Sequence, residues 1–325
     1  MALLETNYAG LRLKNPLIIG SSGLTNSAKS NKKLEDAGAG AIVLKSLFEE
    51  QINMHSDELM QSSDSPEAAD YIKGYVKANQ IENYLSLIRD TKSSCTIPVI
   101  ASINCYNAGA WTEFAKKIEE AGADAIELNI FYLCVGLNAQ TNELSDLYTS
   151  VVKTVKKLIS IPVIVKIGKG ISNIPSLVNI MNIHGAQGVV LFNRYYSPDI
   201  DINKMQITSG EVFSSPSDLS DTLRWTALIS GIVPKISIAS SCGIYKWEDV
   251  VKCLLAGADA VQICSTVYKN GMEIIPEMLN GIENWINEKK YQSVSEFQGK
   301  LSFSNAENPS IYERSQFMKY FSDKK

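Results

Sequence analysis

The chain has 325 residues, 45% of them hydrophobic, and a net charge of −4. That length exceeds a common single domain but suits one barrel with insertions, and the apolar share is ample for a closed core. Mild acidity without a basic block argues against nucleic-acid binding. The opening stretch MALLETNYAGLRLKNP has neither the charged-then-apolar pattern of a signal peptide nor an apolar span long enough for a membrane helix, so a cytoplasmic protein is expected.

In chain order, LLETNYAGLRLKNP reads as a short hairpin turning at Ala9-Gly10. Eight strands follow, of two alternating kinds. The odd ones follow a proline, in NPLIIGSS, IPVIAS, IPVIVK and VPKISIAS. Proline is tolerated there because the first residue of a strand needs no ladder donor. The even ones follow a helix end and a glycine, in DAGAGAIVLK, EAGADAIELN, IHGAQGVVLF and LAGADAVQIC. The glycine suits a left-handed helix C-cap, and the apolar run after it is too short for a helix and reads as a strand buried on both faces.

The expected strands are Leu17 to Gly20, Ala41 to Leu44, Val99 to Ser102, Ala125 to Leu128, Val163 to Lys166, Gly188 to Phe192, Ile236 to Ala239 and Ala260 to Ile263. Amphipathic helical stretches separate most of them. The count and alternation predict an α/β fold, a (β/α)8 TIM barrel, with the N-terminal hairpin as its bottom plug. Three long connections leave the C-terminal ends of strands: Ser46 to about Asn79, Ile130 to Asn142, and Asn193 to about Ser220. Extended loops on that face of a barrel are commonly functional. No low-complexity linker divides residues 1–325, so one domain is expected, with a polar tail over about 302–325.

In such a barrel the strand ends face the mouth. They supply Ser21-Ser22-Gly23, Lys45-Ser46, Ser102, Asn129, Lys166, Asn193, Ser240-Ser241-Cys242-Gly243 and Cys264-Ser265-Thr266. A lysine closing an apolar strand is costly unless it is paired or meets an anion. Lys45 and Lys166 therefore either pair with a carboxylate such as Glu127, reach solvent, or face an anionic ligand. The small residues ending the last two strands, SSCGI and CSTVYKNG, would let backbone N–H groups approach a phosphate. The six cysteines (95, 105, 134, 242, 253 and 264) include no C-x-x-C pair, which fits reduced thiols and no cluster of their own. His184 falls at a helix C-terminal turn and His55 in the loop after the second strand. No metal-ligand spacing is present, so no metal is expected. Tyr195 and Tyr196 either cover a planar substrate or pack at the surface.

Taken together, these motifs resemble the class 1 dihydroorotate dehydrogenases, FMN-dependent barrels, over nearly the whole chain. NPLIIGSSG is similar to the family's N-P-x-x-x-A-S-G, VLKS to its T-K-S, ELN at 127–129 to its E-L-N, and IPVIVK to its P-x-x-V-K. VQICSTVYKNG is similar to its phosphate loop, and YQSVSEFQGKL to its closing helix. The resemblance implies FMN held by Ser21, Ser22, Gly23, Lys45, Ser46, Asn129, Lys166, Ser241, Cys242, Gly243, Cys264 and Ser265. It implies a substrate contacted by Lys45, Asn129 and Asn193, and oxidation of dihydroorotate to orotate in pyrimidine biosynthesis. It further implies a homodimer, with an electron-transfer partner subunit in some members. The chain opens without the amphipathic membrane extension of class 2 enzymes, which places class 1 nearer.

Three departures accompany the likeness. The family's E-L-N-x-S-C-P-N is here ELNIFYLCVG, so Tyr132 stands where the cysteine base belongs and Cys134 lies two residues beyond. The N-S-x-G-x-x-N loop is not found between Ser46 and Asn79, and FSSPSDLS (213–220) replaces F-G-G-x-G-G. Cys134 is the first candidate base, Tyr132 the second, with Cys134 as a structural thiol the plain alternative. Other functional readings are a flavin barrel with a different pyrimidine-like substrate, a non-catalytic flavin-binding subunit, and a Schiff-base aldolase using Lys45 or Lys166.

Overall fold

The computed structural model describes residues 4–48, 66–105, 112–130 and 143–314. The chain opens with the expected hairpin, β1 (Thr6–Tyr8) and β2 (Leu11–Leu13), paired antiparallel. Its turn residues Ala9 and Gly10 have φ 52° and 85°, and Gly10 N–H donates to Asn7 Oδ1 at 3.2 Å. Two consecutive left-handed residues match the right-handed twist of the flanking strands.

Eight parallel strands follow: β3 (Leu17–Ile19), β4 (Ala41–Val43), β6 (Val99–Cys105), β7 (Ala125–Ile130), β8 (Val163–Gly168), β9 (Gly188–Asn193), β12 (Ser237–Ser241) and β13 (Ala260–Ile263). Each pairs with the next, β13 returns to β3, and β4 pairs with β6, so the sheet closes on itself. A two-residue strand β5 (Leu47–Phe48) extends β6 at the rim. This is the (β/α)8 barrel that the alternating proline and glycine segments predict. Outside it lie helices α1 (Ala28–Asp36), α2 (Pro66–Ser94), α3 (Thr112–Glu120), α4 (Glu143–Lys156), α5 (Ile174–Ile183), α6 (Leu219–Ile232), α7 (Trp247–Ala256), α8 (Ser265–Asn270) and α9 (Ile274–Glu288). Among the described residues no helix is long and apolar enough to cross a membrane.

The four glycine segments share one solution. Gly38, Gly122, Gly185 and Gly257 all have φ between 95° and 114°. In each, the glycine N–H and the following alanine N–H donate back to the last helical turn, as in Gly122 to Glu119 O and Ala123 to Ile118 O. That pair of bonds is a Schellman cap, and it aims the chain straight into the even strand. The proline segments are handled by side chains. The first free N–H after Pro16, Pro98 and Pro162 is accepted by Asn15 Oδ1, Asp124 Oδ2 and Gln187 Oε1, at 3.0, 2.7 and 2.9 Å. Ile238 N–H donates likewise to Asp259 Oδ2 at 2.7 Å. Three of these four acceptors sit just after a capping glycine, so the loops entering β7, β9 and β13 each clasp the odd strand beside them.

Inward-facing residues fill the barrel in layers. At the bottom the hairpin's Tyr8, Ala9 and Leu13 pack against Ile18, Ala41, Val43, Ile100, Ala125, Ile164, Val190, Ala239 and Ala260. The hairpin is thus the plug expected of it. The layers above are polar and form the site.

Three local expectations change. The helix after the second barrel strand begins at Pro66, well before Asn79. The segment after β9 carries an exposed hairpin of its own, β10 (Pro198–Asp201) and β11 (Gln206–Ser209). The stretch 291–301, similar to the family's closing helix, makes only a 3-10 turn at Val294–Glu296. Serines at 293 and 295 bond to each other, and Gly299 takes φ 71°, so side-chain competition and a left-handed residue end the helical run. Val294 and Phe297 are nonetheless fully buried.

Candidate active site

Strand alternation sends Ser102 and Asn104 of β6, Glu127 and Asn129 of β7, Lys166 and Gly168 of β8, and Gln262 of β13 to the barrel's inner face. One polar layer crosses the lumen. Lys166 Nζ donates to Gln262 Oε1 at 2.9 Å and lies 3.7 Å from Glu127 Oε1, while Gln262 Nε2 donates to Glu127 Oε2 at 2.6 Å. Glu127 is fully buried and Lys166 nearly so. The lysine therefore pairs with the carboxylate, as one of the sequence alternatives has it, and also lines the cavity above. Burying both charges is sustainable because the glutamine ties them together.

Above this layer, Ser21, Ser46, Ser102 and Asn129 form a tight cluster. Ser46 Oγ lies 2.9 Å from Ser21 Oγ and 2.7 Å from Ser102 Oγ, and Asn129 Nδ2 reaches Ser46 Oγ at 2.9 Å and Ser102 Oγ at 2.8 Å. Three contacts among Ser46, Ser102 and Asn129 need three hydrogens. The amide nitrogen supplies two and one hydroxyl the third, so an oxygen in its place would leave a contact without a proton. The two hydroxyl pairs can run in either direction, Ser102 is fully buried, and Ser21 Oγ also accepts the Ser46 N–H at 2.9 Å.

Two adjoining cavities occupy the mouth. The first, about 470 Å³, is walled by Ser241, Cys242, Gly243, Cys264 and Ser265 from the ends of β12 and β13, and by Phe213 and Tyr268. The second, about 360 Å³, is walled by Lys45, Ser46, Phe48, Asn104, Asn129, Tyr195 and Tyr196. Ser21, Ser22, Lys166, Asn193 and Arg194 line both. Each volume falls in the range of about 300–1,000 Å³ usual for small-molecule sites.

Gly243 adopts φ 79° directly after Cys242 at φ 80°. A Cβ on Gly243 would strike the backbone nitrogen of Leu219, so only glycine lets this turn close against α6. Thr222 Oγ1 secures the turn by donating to the carbonyls of Ser241 and Cys242 at 3.0 and 3.1 Å. Cys242 and Cys264 are half-buried free thiols, and burial pushes both up from the ordinary thiol range, with Lys166 working partly against it. Tyr195 lies over Gly168 so closely that any side chain there would occupy the place of its ring.

The rim positions read from the sequence come together, with exceptions. Lys45 lies two residues past its strand, exposed rather than buried, and lines the same cavity as Lys166, Asn129 and Asn193. Ser240 faces outward and pairs with Thr226 Oγ1 at 2.8 Å. Gly23 packs under the Tyr268 hydroxyl rather than lining either cavity. Tyr132, Cys134 and His55 lie outside the described residues. Among the described residues no group of three potential metal ligands converges. Sequence reasoning missed Asn104, Gln262 and Arg194. Strict alternation from Ser102 and Cys264 would have found the first two. Arg194 is set by its partners: Asp218 Oδ2 at 3.3 Å, Val212 O at 3.0 Å and Glu211 O at 2.8 Å.

Comparison with known proteins supplies the remaining observation. The sequence model for dihydroorotate dehydrogenase matches residues 3–286. The chain belongs to the dihydroorotate dehydrogenase family. Among its relatives is the protein named dihydroorotate dehydrogenase B (NAD(+)), catalytic subunit, of Pyrococcus abyssi, 32% identical over 91% of this chain and 98% of the relative. Proteins of the same name from Methanosarcina acetivorans (30% identical, 90% of this chain and 94% of the relative) and Thermoplasma volcanium (28%, 92% and 98%) are similar over the same span. The family match thus covers all eight barrel strands and both cavities.

Proposed function

We propose that this chain is an FMN-dependent oxidoreductase that oxidises a CH–CH bond beside a carbonyl, with dihydroorotate as substrate and orotate as product. The observation that carries the reading is the convergence of Lys45, Lys166, Asn129 and Asn193 on one mouth of the barrel, in a chain of this family. What supports FMN in particular is the glycine-only turn at Gly243 beside Cys264 and Ser265, where backbone can approach a phosphate. The polar rim of Ser22, Lys45, Ser46, Asn129 and Lys166 suits the flavin ring. Bound there, FMN supplies the hydride acceptor.

In this reading Lys166, fixed by Gln262 and Glu127, places a cation where negative charge develops, and costs no reorganisation because it is already held. Ser21, which lines both cavities, offers its hydroxyl to the bound group. Asn193 and Lys45 orient the substrate, and Arg194 closes the wall between the two cavities. Cys134 is the base that takes the substrate proton opposite the flavin, with Tyr132 second. The relatives' names, catalytic subunit, support an electron-transfer partner, and we propose a homodimeric core as in class 1. Purified protein should be yellow, and anaerobic dihydroorotate should bleach it. A colourless protein would sink the flavin reading, and a yellow one that dihydroorotate leaves unbleached would sink the substrate. Cys134→Ser with undiminished turnover would remove Cys134 from the base role.

A further inference from the structure

Asn104 lies at 8% exposure on the inner face of β6, two residues beyond Ser102, and lines the second cavity. Its register partner across the sheet is Asn129. The two amides thus stand side by side on strands about 4.8 Å apart. Asn129 is committed through its nitrogen to Ser46 and Ser102. Asn104 is committed to nothing: its Oδ1 is buried without a partner, and its Nδ2 makes no hydrogen bond with any described residue. Asn129 Oδ1 is orphaned as well.

A buried amide oxygen left unsatisfied costs free energy unless a ligand completes it. Hydrophobic or small residues would fill this place at no such cost. The amide is also self-complementary in a useful way. One N–H donor and one C=O acceptor on a planar group match a ring edge bearing adjacent C=O and N–H, the same logic by which asparagine reads a base edge bidentately.

We propose that Asn104 is a specificity-determining residue that reads a cis-amide edge, an adjacent N–H and C=O, on the substrate ring. It selects lactam- or ureide-like rings over rings of equal size that lack the N–H. The assignment rests on the reading of the site as one for dihydroorotate and orotate. It extends that reading by naming which edge is read and by a residue outside the motifs shared with the family.

The test titrates orotate, 1-methylorotate and 3-methylorotate into the flavin-loaded protein and follows the flavin absorbance. In the parent chain, at least one methylated ring should bind tenfold or more weakly than orotate. In Asn104→Leu, orotate itself should bind tenfold or more weakly, methylation should cost little further, and flavin content should stay as in the parent. Equal binding of all three rings by the parent overturns the proposal without any variant, so a misfolded variant does not protect it. It is overturned too if Asn104→Leu keeps parental affinity for orotate, or if it loses flavin in step with orotate, which would make Asn104 a cofactor contact. A flavin-loaded parent that binds neither orotate nor dihydroorotate would remove the substrate reading and this assignment together, a result distinct from the others.

Discussion

Lys166 shows how much a single side chain can carry. It is the only described cation in the polar layer with Glu127, whose Oε1 has no hydrogen-bond partner and lies 3.7 Å from the ammonium. Replacing Lys166 with methionine would leave a fully buried carboxylate facing apolar carbon. Such a change costs about 3–5 kcal/mol. Thermal unfolding of Lys166→Met should therefore show a large loss, and adding Glu127→Gln should recover a good part of it, because a neutral amide can still bond Gln262. Activity should stay lost in the double variant, which separates the charge at the mouth from the integrity of the fold. Strand-ending lysines are easy to find in a sequence. Their partners are not, because Gln262 sits 96 residues away and only the closed sheet brings it across the lumen.

At the scale of elements, the helix-to-strand joints are where sequence and structure correspond most directly. A left-handed C-cap needs glycine for local reasons, so the four glycine segments announce four joints without any knowledge of the fold. Gly122→Ala tests this cleanly, since a Cβ there would meet nothing nearer than Lys92 Cγ at 4.0 Å. Its cost should be the backbone penalty alone, about 1–2 kcal/mol. Gly257→Ala should cost more, because the added carbon would also run into Ser230. Denaturant titration of the two variants would check the ordering.

The neighbouring joints use carboxylates. Burial works against the charge on Glu35, but hydrogen bonds from Thr96 Oγ1, Lys32 Nζ and the N–H groups of Thr96 and Ile97 outweigh it and bring it down to about 2. A carboxyl lowered on folding stabilises above its unfolded value near ~4.3, and that contribution fades as pH falls towards 2. Glu35→Gln should accordingly flatten the acid limb of a stability profile between about pH 5 and 2, and change its shape little above pH 6. What the sequence hides at this scale is irregular structure. The stretch resembling a closing helix becomes turns, and the β10–β11 hairpin follows a strand where only a long loop is legible.

For the whole molecule, the plug at the barrel's base decides whether the interior is filled. Tyr8 is fully buried, its hydroxyl has no partner, and burial raises its pKa well above the ordinary value, with Glu127 and Asp259 adding to the effect. An orphaned buried hydroxyl is a liability, so Tyr8→Phe should be neutral or stabilise the protein by up to about 1 kcal/mol. Tyr8→Ala should cost about 3–5 kcal/mol, since the lumen cannot collapse around the space. Calorimetry on the pair would check the sign change. Closure itself was readable from the eight-fold alternation, and so was the end at which Lys45 and Lys166 meet. The roles of Asn104 and Arg194 were not, because they depend on which groups remain unpaired once the ring of strands has formed.

The clasps between even-strand loops and odd strands have one more outcome. They lie at the end of the barrel away from the cavities and stitch its lower rim into a hoop of side-chain and backbone bonds. The mouth side, by contrast, carries the exposed β10–β11 hairpin. In deuterated solvent the amides of Leu17, Val99, Val163 and Ile238 should be among the last to exchange, while those of the β10–β11 hairpin exchange early. A rigid base with a compliant mouth lets a ligand enter without loosening the ring that holds the charges in place.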